Sequence, residues 1–272
     1  MSNNIDELHR VDLEIVKEVV RICDKHNLTY YIIGGTLLGA IRHKGFIPWD
    51  DDVDLSMPRS DYERFLTIAE MELKANLKLV NYKTDPSYQY YITRICDVNT
   101  KVIEKRIGND KKYTNASIDI FPIDGTPNNK FLRKIYYFRV MLHRALMSLC
   151  YKDSIDRERK RSKIENIILF IMEKIHIEKF ISPNKEKNKI DKLLKRQKVE
   201  ESNYIGTIMG AYRTREIVPK IFFGNGAYYE FEGIMLRGPE MFSEYLTHMY
   251  GNYMELPPVE NRKTHFQIIE IK

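Results

Sequence analysis

Two short stretches of this 272-residue chain hold residue types that do chemistry. Gly34-Gly35-Thr36-Leu37-Leu38-Gly39 is a tight glycine turn. Its backbone N–H groups have the shape of a phosphate cradle. Asp50-Asp51-Asp52-Val53-Asp54 follows, after Ile47-Pro48-Trp49. Side chains alternate along a strand, so Asp52 and Asp54 point to the same side. Asp50 shares their parity nearer the loop, where it would orient a ligand or bind a second ion. Asp51 is expected to face the other way. Oxygen-only ligands suit Mg²⁺ or Mn²⁺. A phosphate cradle beside such carboxylates is the equipment of nucleotidyl or phosphoryl transfer.

Acids packed this closely repel one another, and a bound cation offsets the cost. The alternative is a solvated acidic loop. Here the run sits between Trp49 and the strand-like Val53-Asp54-Leu55-Ser56-Met57, which favours metal binding. The third carboxylate is expected to be Asp119, in Ser117-Ile118-Asp119-Ile120-Phe121. A lone acid in an apolar strand is costly to bury without a partner, and a shared metal supplies one. Asp119 would bind metal or accept the proton of an attacking hydroxyl, and both roles stay open. Asp124 is the runner-up, but it lies past Pro122, in a turn where Asp is ordinary. Gly34, Gly35 and Thr36 would hold phosphates through backbone and hydroxyl donors. Arg42, His43 and Lys44 would add charge-assisted donors, or merely end a short helix with polar residues.

The elements that must position these groups follow from periodicity. Residues 5–26 predict an amphipathic helix stopped at Asn27. Tyr30 to Ile33 predict a buried strand entering the glycine turn, and Thr36 to His43 a short helix with its positive dipole end on that turn. Val53 to Met57 predict a strand stopped by Pro58. Ser60-Asp61-Tyr62-Glu63 has the capping-box pattern for a helix to about Lys74. Strands are expected at 77–82, 90–95, 116–121 and 228–232, and helices at 131–151, in a Lys-rich stretch after Pro183, and at 239–250. The order predicts a mixed α/β fold.

The composition narrows the class. Cys23, Cys96 and Cys150 are odd in number and far apart, against a disulfide framework or a zinc site. The polar, acidic first residues predict no signal peptide. No apolar run nears the ~20 residues needed to span a bilayer. A cytoplasmic protein is expected. The net charge is +6, and residues 152–200 hold 15 Lys/Arg against 9 Asp/Glu, so the whole excess sits there. Charge confined to one segment does not suit a nucleic-acid enzyme. It marks a solvated helical face or a surface for anionic membrane or polymer. Ile164, Ile167, Ile168, Ile171, Met172 and Ile175 form an apolar stripe in the same segment.

The stretch from Gly35 to Asp54, with Arg42-His43-Lys44-Gly45-Phe46-Ile47-Pro48-Trp49-Asp50-Asp51-Asp52 in it, resembles the signature of the LicD family. That family includes bacterial phosphocholine transferases and is related to the fukutin group. The likeness continues at Ser117 to Pro122, Tyr229 to Gly233, Tyr250 to Met254, Pro257 and His265. Asn252 stands where the family usually has Asp. The resemblance implies a nucleotidyltransferase-like core at 1–128, a basic helical subdomain at 129–200, and a C-terminal part at 201–272 completing the core and acceptor cleft. It implies Mg²⁺ or Mn²⁺ on Asp52, Asp54 and Asp119, and transfer of phosphocholine from CDP-choline to a cell-surface glycan or its lipid-linked precursor. Glu232, His265 and Trp49 join Asp50 and the glycine turn as expected substrate contacts. A choline headgroup needs aromatic faces, for which Trp49, Tyr88, Tyr90, Tyr91, Tyr228 and Tyr229 are candidates. Peripheral contact with the inner face of the cell membrane is expected. The rival expectations are another CDP-activated alcohol, a nucleotidyltransferase using an NTP, and a glycan- or polymer-binding module with an inactive site.

Overall fold

The computed structural model describes residues 2–104, 112–151, 181–262, 264 and 266–271. Helix α1 (Ser2–Lys25) opens the chain. Ile15, Val16, Val19, Ile22 and Cys23 share one face of it and are at most 1 % exposed. Each aliphatic side chain so buried contributes ~1.5–3 kcal/mol, so packing rather than capping holds this helix. Asn27, in the left-handed region at φ 51°, turns the chain away.

One mixed sheet follows. Its strands are β1 (Tyr31–Ile32), β2 (Asp54–Pro58), β3 (Leu77–Val80), β4 (Thr93–Glu104) and β5 (Lys112–Gly125). The later chain adds β6 (Tyr204–Gly206), β7 (Ile217–Pro219) and β10 (Phe266–Ile271), while β8 (Ala227–Phe231) and β9 (Ile234–Gly238) make a separate hairpin. The order is β1-β2-β5-β4-β10, with β3 also on β4 and β6–β7 continuing from β5. The β2–β5 pairing is parallel and sets Asp54 opposite Asp119. The β4–β5 pairing is antiparallel and sets Arg94 opposite the same Asp119.

The other helices are α2 (Gly34–His43), α3 (Arg59–Glu72), α4 (Lys130–Leu149), α5 (Pro183–Leu194) and α6 (Phe242–Tyr250). Helix α1 packs across β4, β5 and β10, and α2 sits against β2, β8 and α6. Helices α4 and α5 build a second core from Tyr136, Val140, Ile190, Leu193 and Leu194. Asn129 and Ser182 cap these two helices by accepting backbone N–H bonds.

The expected mixed α/β fold is present, with corrections in detail. The capping box does not form: α3 starts at Arg59 after Pro58, with no side-chain cap. Asp61 instead accepts the Thr29 N–H at 3.1 Å, pinning the turn after α1. β4 and β5 run well beyond the expected 90–95 and 116–121, since their outer halves pair with each other and with β10. The isoleucine stripe at 164–175 and its neighbours Arg157, Arg159, Lys160, Arg161 and Lys163 lie outside the described residues.

Candidate active site

The glycine turn and the aspartates meet. Gly34 is left-handed at φ 57°, and a Cβ there would stand 3.1 Å from Asp54 Oδ2. A Cβ on Gly35 would stand 2.5 Å from Asp50 Oδ2, so only glycine leaves room for that carboxylate. Thr36 is buried and its hydroxyl accepts the Asp54 N–H at 2.9 Å. Thr36 thus fixes the start of β2 at the head of α2. The Tyr245 hydroxyl hydrogen-bonds the Gly34 backbone from α6.

Charge is concentrated at this junction. Burial, reinforced by Asp52 and Asp51, pushes the Asp50 carboxyl up to about 8, and Asp50 and Asp52 share a hydrogen bond. Burial pushes the Asp54 carboxyl well above the ordinary range, helped by Asp52, Asp119, Asp50 and Glu216. Asp51, expected to face away, is 4 % exposed and still acts on Asp50. Repulsion of this kind is relieved by a proton or by a cation.

Asp119 lies in register beside Asp54 and is tied to Arg94, whose Nε donates to its Oδ1 at 2.7 Å. The Arg94 guanidinium also lies over the Tyr90 ring at 4.6 Å, with Tyr88 edge-on to Tyr90. Asp124 has another partner: Arg59 donates Nε to its Oδ1 at 2.7 Å and Nη2 to its Oδ2 at 2.5 Å.

The other expected contacts divide. Arg42 donates to the Tyr253 carbonyl at 2.9 Å and to His43 Nε2 at 2.9 Å, tying α2 to the loop after α6. Burial and Arg42 lower His43, keeping it a neutral acceptor. Lys44 caps α2 in the left-handed region at φ 60° and faces solvent. Trp49 is half-buried, with Arg262 over its ring at 4.8 Å. Glu232 N–H donates to the Lys44 carbonyl at 2.9 Å, and Glu232 Oε1 accepts the Phe46 N–H at 3.0 Å. Its hydrogen bonds clamp the loop that carries Trp49 and Asp50. Tyr91 is bonded to Asp191 and Arg59, and Tyr229 to the Pro239 carbonyl. Tyr228 is exposed. His265 lies outside the described residues.

Four residues near the carboxylates carry no local sequence signal, His9, Arg94, Tyr212 and Glu216, while Tyr250 opens one of the stretches that carry the family likeness. Tyr212 and Tyr250 meet edge to face at 5.7 Å, and both feel the Asp50 charge. His9 Nε2 donates to the Asp50 carbonyl at 2.7 Å while its ring stacks on Phe46 at 4.0 Å. A cavity of about 290 Å³ lies elsewhere, between α1 and β3–β4, and none of the expected site residues is among those lining it.

The carboxylate donor set suits a hard divalent cation. Among the described residues, no three His, Cys, Asp or Glu side chains already form a cage. Mg²⁺ at phosphate sites is usually held by one or two carboxylates together with water and substrate oxygens.

Along its length, the chain aligns with the lipopolysaccharide cholinephosphotransferase LicD of Haemophilus influenzae at 32 % identity, over 95 % of this chain and 94 % of that protein. The chain belongs to the LicD family. Residues 27–153 match the family described as LicD/FKTN/FKRP, nucleotidyltransferase domain. A 48-residue stretch is 44 % identical to the mouse and human ribitol 5-phosphate transferase FKRP, covering 18 % of this chain and 10 % of theirs. A 55-residue stretch, 20 % of this chain, is 42 % identical to 18 % of an uncharacterised protein of Rickettsia typhi.

Proposed function

We propose that this protein moves phosphocholine from CDP-choline onto a cell-surface glycan or its lipid-linked precursor, using Mg²⁺ or Mn²⁺. One observation carries the reading. Asp54 and Asp119 stand in register, with Asp50 against the Gly34-Gly35 turn, in a chain similar over nearly its whole length to a lipopolysaccharide cholinephosphotransferase. The relatives whose names state an activity transfer a phospho-alcohol, which does not favour an NTP-using nucleotidyltransferase or a binding module.

Asp52 and Asp54 would hold the cation, with Asp119 beside them. The cation, when bound, polarises the phosphate and offsets the charge that develops on its oxygens. The chain's own groups do the rest. The Gly34-Gly35 turn, at the N-terminal end of α2, directs backbone N–H groups and the helix dipole toward phosphate. Arg94 orients Asp119, which accepts the proton of the attacking hydroxyl as CMP leaves. Tyr212 and Tyr250 offer aromatic faces to a quaternary ammonium group, which has no hydrogen to donate. The test is a screen of CDP-choline, CDP-ethanolamine, CDP-ribitol, CDP-glycerol and NTPs for Mg²⁺-dependent release of CMP or pyrophosphate. CMP from CDP-choline is expected. Pyrophosphate from an NTP, with no CMP from any CDP-alcohol, overturns the reading.

The same reading puts the enzyme at an anionic membrane surface. Among the described residues no helix is long and apolar enough to cross a membrane. Support for surface docking comes from α4, which holds Lys130, Arg133, Lys134 and Arg139 and no acid, while its Arg144 is turned inward onto the Ile208 and Gly210 carbonyls. Its outward face exposes Phe131, Ile135, Phe138 and Leu142, at helical spacing. Apolar residues flanked by cations suit the boundary of an anionic bilayer. The protein should sediment with vesicles containing phosphatidylglycerol and not with neutral ones. Binding should weaken with salt and drop when Phe131 and Phe138 become Ser. Unchanged sedimentation of that variant, or equal indifference to both vesicles, overturns the docking face.

A further inference from the structure

Asp12 has no role so far, and its surroundings demand one. It is 0 % exposed on α1, and neither carboxylate oxygen has a hydrogen-bond partner among the described residues. It lies one turn beyond His9, whose ring reaches the Asp50 carbonyl, so its side chain shares the face turned to the acidic loop. The charges that act on it are those of Asp52, Asp51 and Asp119. Burying a carboxyl without donors is expensive, and orphaned buried oxygens are rare in native proteins. A core position on a helix face otherwise filled by Val16 and Val19 would be cheaper as an aliphatic residue. The residue also precedes the 27–153 match, on a helix that closes the site from behind.

We propose that Asp12 is a further carboxylate of the cation site, raising its affinity for a hard divalent cation from behind the Asp52, Asp54 and Asp119 group. The inference rests on the metal-site part of the reading above. In a poorly solvated region a negative charge near a divalent cation adds to the attraction of the ligands themselves, whether it touches the ion or a water bound to it. Among the described residues no donor competes for its oxygens.

The experiment is titration of the full-length protein with Mn²⁺, reading free Mn²⁺ by electron paramagnetic resonance. Wild type is compared with Asp12→Asn, with the smaller Asp12→Ser, and with Asp24→Asn on an exposed turn of the same helix. Thermal unfolding without metal checks that each variant folds. Asp12→Asn and Asp12→Ser should bind Mn²⁺ at least tenfold more weakly, while Asp24→Asn matches wild type. If Asp12→Asn proves unfolded, Asp12→Ser is judged by the same criterion. Wild-type affinity in a folded Asp12 variant overturns the inference alone. Absence of Mn²⁺ binding by wild type overturns the metal reading and this inference with it.

Discussion

Asp119 and Asp124 share β5 and have different partners. Asp119 is paired by Arg94 beside Asp54, and Asp124 by Arg59 in the sheet's interior. Asp119→Asn is expected to abolish turnover and leave a folded protein. Asp124→Asn is expected to keep turnover per folded molecule but to lose ~3–5 kcal/mol of stability, because Arg59 stays buried without its main counter-ion. Turnover and denaturant unfolding measured on both variants check the contrast. Loss of turnover in a folded Asp124→Asn with normal Asp119→Asn would reverse the assignment. Asp52→Ala and Asp54→Ala should each lower turnover at least ~100-fold, since a cation at a transferring phosphate supplies several kcal/mol. Their stability without metal should be unchanged or higher, as each removes one repelling carboxylate. Near-normal turnover of either at saturating Mg²⁺ would reject its role.

Helix α5 carries a second electrostatic feature. Lys187 is fully buried, donating to the Tyr88 carbonyl and to the Tyr151 hydroxyl. Burial lowers its ammonium to about 8. The native lysine therefore loses its proton at lower pH than the unfolded one, whose pKa is ~10.4. Between these values the unfolded chain binds more protons, so this residue makes stability rise with pH across that window, and the gain is lost again as pH falls through about 8. Lys187→Met should remove that part of the dependence. Urea unfolding at pH ~7.5 and ~10 should show wild type gaining on the variant at the higher pH. An equal difference at both would mean that the lysine titrates normally.

Distant parts of the chain converge on one site, and this predicts coupling. The glycine turn, β2, β5, α1 and the Tyr212–Tyr250 pair surround the same carboxylates. CDP-choline and Mg²⁺ should then bind cooperatively, and together raise the melting temperature by more than the sum of their separate shifts. Strictly additive shifts would place the two ligands at separate sites. Wild type, but not Asp54→Ala, should show the excess.

Local physics in the amino-acid order determined the helices from α1 to α6 approximately, the stop at Asn27, the glycine turn and the Asp52–Asp54 spacing. These depend on periodicity, on backbone freedom, and on neighbours a few residues away. Three-residue strands such as β6 and β7 escaped this reading because they contain too few alternations to register. β10 escaped because its partner β4 lies far back in the chain. Only the tertiary structure decided that Arg94 and Asp54 flank Asp119, that Asp12 and His9 approach the acidic loop from α1, and that Glu232 clamps the Lys44–Phe46 segment. Each of those contacts joins residues far apart in sequence, and its geometry follows from strand register and helix packing. A residue's type limits the bonds it can make, but its partner is chosen when the sheet pairs and the helices close over it.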